Sequence, residues 1–448
     1  MNATAPLTAG QPFAPWFDPA ELDADTAQNF ERRGSALVPV GPGFFSVRGR
    51  LAFVLPRPWS GQPTVHPAEP LLTLRTLTRY AQASQQRAVS QQALSLSAAG
   101  INHAGDALQS VENALLLWKD ARENGPLWLS EHRSGPREQG RTHWARTMSR
   151  TQALPLRHTT IHPAPIRARH RLDVQSPLTR VHAQATAEVR ERLGAGPGPL
   201  HPIGRTQARR ILDGYAHKVF SDRMKRVFPL LRRHFSPHHG FRRQDAAQQT
   251  SSLFASRFEY VWEAILAVAL GPRAQTPTFR GRYWRNAADA LPASHGARLL
   301  PDLIFDVDLG DGQSTPYRVV VDAKHYRPEH PPGTESIVKQ MVYRHLLSQS
   351  FDLGPDGLPA ERIGNTFILP EVLPGATLAR VLYIHELDGE RPRGANSFGR
   401  IVVLGVNLVE AQRAYVAGRA SAALRRTVGR LVAEGMRGLQ ASGHPAPS

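Results

Sequence analysis

Apolar residues recur at three- and four-residue spacing in LLTLRTLTRYAQ from residue 71 and DALQSVENALLLWKDARENG from residue 106, which predicts two amphipathic helices, the second stopped by glycine. Upstream, GSALVPVGPGFFSVRGRLAFVLPRPW (34–59) alternates apolar and polar positions between Gly-Pro-Gly and Arg-Gly breaks, the pattern of short antiparallel strands. SPLTRVHAQATAEVRERLG (176–194) opens on Ser-Pro and closes on glycine, as a helix does. GAGPGPLHP (194–202) has the composition of a flexible joint, and TQARRILDGYAHKVFSDRMKRVFPLLRRHF (206–235) reads as a basic helical region. From about 250 to 435 the pattern turns α/β: a helix, RFEYVWEAILAVAL (257–270), two strands joined by a turn, another helix, the strands ARVLYIHEL (379–387) and RIVVLGVNL (400–408), and a final helix over about 409–436. The chain divides on this reading into a β-rich unit over 1–65, a mainly helical, basic region over 66–245, and an α/β domain over 246–448.

Composition narrows the setting. There is no cysteine, which excludes disulfide frameworks and thiolate metal sites, and the N-terminus lacks the charged start and apolar stretch of a signal peptide. No window reaches eighteen apolar residues, so a cytoplasmic protein with no membrane association is expected. The net charge of +18 is carried by arginine, which favours a nucleic-acid partner over a merely solvated surface.

Arginine is so dominant that lysine occurs only at positions 119, 218, 225, 324 and 339, and two of these lie in VVVDAKHYRPEHPPGTESIVKQMVYRHLL (319–347). Together with the preceding LLPDLIFDVDLGDGQSTPYR, the stretch reads as a hairpin turning at Gly310-Asp311-Gly312. Counted from that turn, Asp302 and Asp322 face each other across the strands, and alternation puts Val320, Asp322 and Lys324 on one side. Facing carboxylates repel and call for a cation; hard oxygen donors, with the Ala323 carbonyl beside them, suit Mg²⁺ or Mn²⁺. Lys324 would then orient or deprotonate a water and offset charge on a phosphodiester, tasks for a compact ammonium of tunable pKa. Taken singly, each residue has a plainer reading: Asp302 as a strand-start cap, Asp306, Asp308 and Asp311 as solvent-facing turn acids, Lys324 as a surface partner of Asp322. Glu259 and Glu263 share one helical face upstream, and either would add a carboxylate to the metal site. Downstream, a helix capped by Thr334 carries Gln340 with Tyr343 or Arg344 on a face over the cleft, Lys339 beside them.

PDLIF, VVVDAKHY and IVKQMVY together resemble the PD-(D/E)xK nuclease superfamily in the form with a downstream Q-x-x-Y helix, and more narrowly the LlaJI-type restriction endonucleases and related McrC subunits. The match runs through Asp322-Ala323-Lys324-His325-Tyr326, Pro332-Gly333, Ile337 to Tyr343 and GNTFILP (364–370); HWARTM (143–148) and SPLTRVHA (176–183) are similar to flanking pieces of the family. His143, Ala145 and His325 depart from the family's asparagine, lysine and tyrosine. The resemblance implies an α/β nuclease core, a mixed central sheet flanked by helices, in which Asp302, Asp322 and Glu263 bind Mg²⁺, Lys324 activates water and Gln340 positions the phosphate or the lysine. It favours Glu263 over Glu259. It also implies double-stranded DNA as substrate and a separate McrB-like AAA+ GTPase or ATPase as motor, since no lysine here follows a glycine as a phosphate loop requires; a dimer would serve double-strand cleavage. The expected function is a restriction endonuclease acting in phage defence. The alternatives are a repair or mobile-element nuclease and a DNA-binding subunit that stimulates the motor without cutting.

Overall fold

The computed structural model describes residues 7–9, 15, 17–22, 24–47, 50–57, 68–85, 95–97, 104–135, 141–142, 144–157, 159–173, 176–193, 196–236, 251–255, 257–271, 301–325, 332–349, 358–385 and 400–437. Of the residues named above, His143 and Tyr326 lie outside them. The chain forms two compact units, one of residues 1–4, 49–51 and 105–247, the other of 5–48, 52–104 and 248–448. No helix among the described residues is long and apolar enough to cross a membrane.

The first unit contains helices Ala104–Asn124, Pro177–Arg192, Arg205–Tyr215 and Asp222–His234. Ser176 caps the second of these, accepting from the Thr179 amide at 3.1 Å. The expected basic helical region consists of two helices parted around residues 216–221, where Ser221 starts a new N-cap. Just past the glycine- and proline-rich joint, Gln184 accepts from the Ile203 amide at 2.6 Å and donates to the Ile203 carbonyl at 2.9 Å. Strands add to the helices, with Arg167–Asp173 paired to Leu129–Gly135.

One arginine closes much of this unit. Arg223 forks Asp120 (Nη2 to Oδ2 2.8 Å) and donates to the carbonyls of Asn124, Gly125 and Pro126, where Gly125 at φ 66° ends the helix. Burial alone would raise the Asp120 carboxyl; the Arg223 fork, with the His182 ring nitrogen 3.7 Å away, overcomes it and holds the pKa at about 2 against an ordinary 3.8. A carboxyl depressed in the folded state stabilises fully above its unfolded value and loses that contribution as pH falls toward its folded one. Melts between pH 5 and 2.5 should therefore lose on the order of 2 kcal/mol through this group. Asp120→Asn should flatten that segment of the profile; an Asp120→Asn profile that falls as steeply as wild type excludes the assignment.

In the second unit, a five-stranded N-terminal sheet has the order 7–8, 50–55, 43–47, 251–254, 95–97. Ser251–Phe254 pairs with Gly43–Val47, which is why residues 5–48 share a unit with the C-terminal half rather than standing apart as a β-rich unit over 1–65. Gly43 permits the pairing: a Cβ there would lie 2.1 Å from the Leu253 carbonyl oxygen. Phe17, Phe45, Val54 and Phe254 bury the sheet's inner face, with Phe30 edge-on to Phe45 at 5.1 Å.

The rest of this unit is the α/β core: α1 (Phe258–Leu270), β1 (Leu303–Val307), β2 (Tyr317–Ala323), α2 (Thr334–Gln349), β3 (Ile363–Glu371), β4 (Ala379–His385), β5 (Ile401–Asn407), α3 (Leu408–Ala417) and α4 (Ala422–Arg437). The sheet is mixed, in the order β1-β2-β3-β5-β4, with the parallel pairs β2–β3 and β3–β5 at its centre and antiparallel β1 and β4 at its edges. Near-continuous apolar runs such as VVVDA and IVVLGV fit central strands buried on both faces. Met341, Tyr343 and Leu347 of α2 pack over Val320, Phe367 and Val403. On α4, Gly429 and Gly435 let the helix lie against Val307 and Val402, since a Cβ at either would come within 2.3 and 2.7 Å of a valine methyl. The single final helix expected from the sequence is two, because Gly418 adopts φ 69° and ends α3.

Candidate active site

The β1–β2 hairpin has the geometry its turn residues specify. Gly310 and Gly312 take φ 68° and 76°, and the register Leu303↔Val321, continued by one residue, sets Asp302 opposite Asp322. The hairpin acids are not simply solvent-facing. Asp306 accepts from Arg318 at 2.8 Å and Asp311 pairs with Arg362, while Asp308 accepts from the Gly310 amide as a turn residue does.

At the mouth of the hairpin, Asp302 Oδ2 accepts from the Ala323 amide at 2.8 Å. Ala323 thus engages Asp302 through its N–H, alongside the carbonyl role expected of it. Lys324 Nζ lies 2.8 Å from Asp322 Oδ1, with side chains 19% and 12% exposed, so this is a sheltered pair and not a surface one. The Lys324 amide extends the ladder to the Ile368 carbonyl at 3.0 Å, and its ammonium lies 6.0 Å from the centre of the Phe367 ring.

Glu263 joins these groups from α1. The residue before it, Trp262, is fully buried and donates Nε1–H to the same Ile368 carbonyl at 3.0 Å, locking α1 beside the strand end. Burial first, then the charge of Asp322, pushes the Glu263 carboxyl up to about 7. Asp302 is exposed as a whole residue, yet its carboxyl is surrounded: burial, the hydrogen bond shared with Asp322 and the charges of Asp322 and Glu263 raise it well above the carboxylate range, against the Ala323 amide. Among the described residues, no three His, Asp or Glu side chains form a ready-made metal cage. The arrangement is an acidic pair with a third carboxyl at its edge, and the single ammonium among them, Lys324, does not balance the three.

Glu259 is engaged elsewhere, accepting from Arg257 at 2.9 Å on the exposed start of α1. Gln340 is fully buried and donates to the Val320 and Thr366 carbonyls at 2.9 and 3.1 Å; it braces β2 and β3 two residues before Asp322 rather than opening toward substrate. Arg344 likewise fastens α2 to the Ile363 and Ala360 carbonyls. Tyr343, on that helix face, is buried, which raises its hydroxyl pKa, and the charges of Asp302 and Asp322 raise it further. α2 begins at Thr334 itself. Trp262 was not singled out by spacing; a large indole directly before the candidate glutamate on a buried helix face was the available signal.

A mixed sheet that gathers acids and a lysine at one strand end has the outline of a phosphodiester-cutting enzyme, and comparison with known proteins gives the class: residues 43–379 match the family model described as LlaJI restriction endonuclease. The chain belongs to the LlaJI restriction endonuclease family, whose name implies a restriction nuclease. The match spans β1, β2, α2 and β3, and so contains every candidate site residue. No curated protein matches the chain.

Proposed function

We propose that the protein is a Mg²⁺-dependent endonuclease of PD-(D/E)xK type that cuts double-stranded DNA, the cleavage subunit of a restriction system driven by a separate AAA+ GTPase or ATPase. The observation that carries this reading is the meeting of Asp302, Asp322 and Glu263 beside Lys324 at the open end of β2. Raised carboxyl pKa values in such a cluster report a deficit of positive charge, and a hard divalent cation is the group that removes it. Magnesium is commonly held by one or two carboxylates with waters and substrate phosphate, so a pair of aspartates is enough.

Asp302 and Asp322 would hold Mg²⁺ or Mn²⁺, with Glu263 and the Ala323 carbonyl completing the oxygen donors, and the bound ion supplies Lewis-acid stabilisation of charge on the phosphoryl oxygens. The chain's own residues do the remainder. The Ala323 amide fixes the Asp302 carboxylate. As the ammonium paired with Asp322, Lys324 would orient the attacking water and offset the charge that gathers on the phosphate; as the neutral amine it would take the water's proton as the new P–O bond forms, the proton leaving with the departing oxygen. Gln340 and Trp262 act at one remove, by keeping the β2 and β3 ends and α1 in register.

A separate motor is supported by the sequence, in which no lysine follows a glycine. The test is cleavage of plasmid DNA by the purified chain with Mg²⁺ or with EDTA, alone and with an AAA+ partner plus GTP or ATP. Cutting in Mg²⁺ that EDTA abolishes is the expected result. Binding without cutting in every arm would point to a regulatory subunit.

A further inference from the structure

Three cations among the described residues reach the acid cluster electrostatically. Lys324 is taken up by Asp322. The other two stand on different helices: Arg257 at the start of α1 holds Glu259, one turn before Glu263, and Lys339 in the second turn of α2 adjoins Gln340, whose amide holds the Val320 carbonyl two residues before Asp322. Both are about half exposed. Each is held by one exposed acid of its own segment, Arg257 by Glu259 at 2.9 Å and Lys339 by Glu335 at 2.7 Å.

Such solvent-screened surface pairs contribute little, so a stronger anion displaces the acid readily. Arg257 is shaped for one. Its guanidinium lies 4.5 Å from the centre of the partly exposed Tyr260 ring, and it meets Glu259 through Nε, which leaves the edge formed by the two terminal nitrogens without a partner among the described residues. That edge forks a phosphate. Lys339 offers a point charge on the opposite helix. A polyanion approaching three carboxyls needs positive charge beside them as well as between them.

We propose that Arg257 and Lys339 are two backbone-phosphate subsites flanking the candidate active site, and that Glu259 and Glu335 occupy them as stand-ins until a DNA phosphodiester exchanges with each. This rests on the reading of the protein as a DNA-cutting enzyme and adds how the strand is held. It also gives Glu259 a role that is not metal binding.

The test uses the full chain in the Lys324→Ala background, so that DNA stays uncut, and a short fluorescent duplex titrated across a salt series in Mg²⁺. Arg257→Gln and Lys339→Gln should each weaken binding about tenfold and lower the slope of log K against log salt by about one, the double variant by about two. With Lys324 restored, the same substitutions should raise KM and leave kcat nearly unchanged. Glu259→Gln and Glu335→Gln should tighten binding severalfold, a gain that loss of a structural ion pair does not produce, and Lys339→Arg should restore binding to Lys339→Gln. A parent chain that binds and a double variant with an unaltered slope overturn this proposal alone. A wild-type chain that neither binds nor cuts duplex DNA, alone or with its AAA+ partner and nucleotide, overturns the nuclease reading and this proposal with it.

Discussion

Asp302→Asn or Asp322→Asn should lower Mg²⁺-dependent cleavage by about three orders of magnitude, the loss expected when several kcal/mol of metal-borne stabilisation of the transition state is removed. The fold should survive, for an electrostatic reason specific to this site. Asp302 titrates higher in the folded chain than in the unfolded one, through burial, its hydrogen bond with Asp322 and the charges of Asp322 and Glu263. A carboxyl raised in this way weakens the fold progressively as pH climbs above the ordinary 3.8 and until the folded value is passed. An asparagine carries no such charge and still accepts from the Ala323 amide through Oδ1. Asp302→Asn should therefore be at least as stable as wild type at neutral pH without metal, measured by thermal melts beside the cleavage assay. An Asp302→Asn protein that cuts normally removes this residue from the mechanism. One that fails to fold contradicts the electrostatic account of the cluster.

Lys324→Ala should cost about 10²- to 10⁴-fold in cleavage rate, the range for loss of a positioned proton-transfer group. Lys324→Arg should recover little, because a guanidinium stays protonated and presents a planar fork where a compact ammonium fits. If Lys324 were only the partner that neutralises Asp322, arginine would substitute for it, since arginine makes the stronger carboxylate pair. Rates of wild type and both variants on one plasmid substrate distinguish the two roles, and substantial activity in Lys324→Arg sinks the proton-transfer assignment.

The hairpin was legible because its determinants are local. Two glycines that must take positive φ fix the turn, period-two alternation fixes the faces, and the pairing of Asp302 with Asp322 follows by counting. The Ser176 and Gly125 helix boundaries were legible for the same reason. The split of the last helix at Gly418 was signalled by a glycine, but apolar spacing runs through that position and gives no cue to the left-handed turn. Interactions made across the sequence were not legible. The pairing of Gly43–Val47 with Ser251–Phe254 joins segments some two hundred residues apart, and nothing local announces it. Gln340 shares a helical face with Tyr343, and only the packed structure reveals that the amide is spent on strand carbonyls while the phenol feels the charge of the acids. The choice between Glu259 and Glu263 depended likewise on tertiary partners: the spacing that places both on one face cannot say which meets Arg257 and which meets Asp322.

The most direct test of the acid cluster is a titration of Mn²⁺ into the full chain, followed by calorimetry and by the electron paramagnetic resonance of free Mn²⁺, comparing wild type with the Asp302→Asn/Asp322→Asn double variant. The expected outcome is a bound ion in the wild type that Mg²⁺ displaces and that the double variant lacks while remaining folded. Equal binding by the two proteins would contradict it.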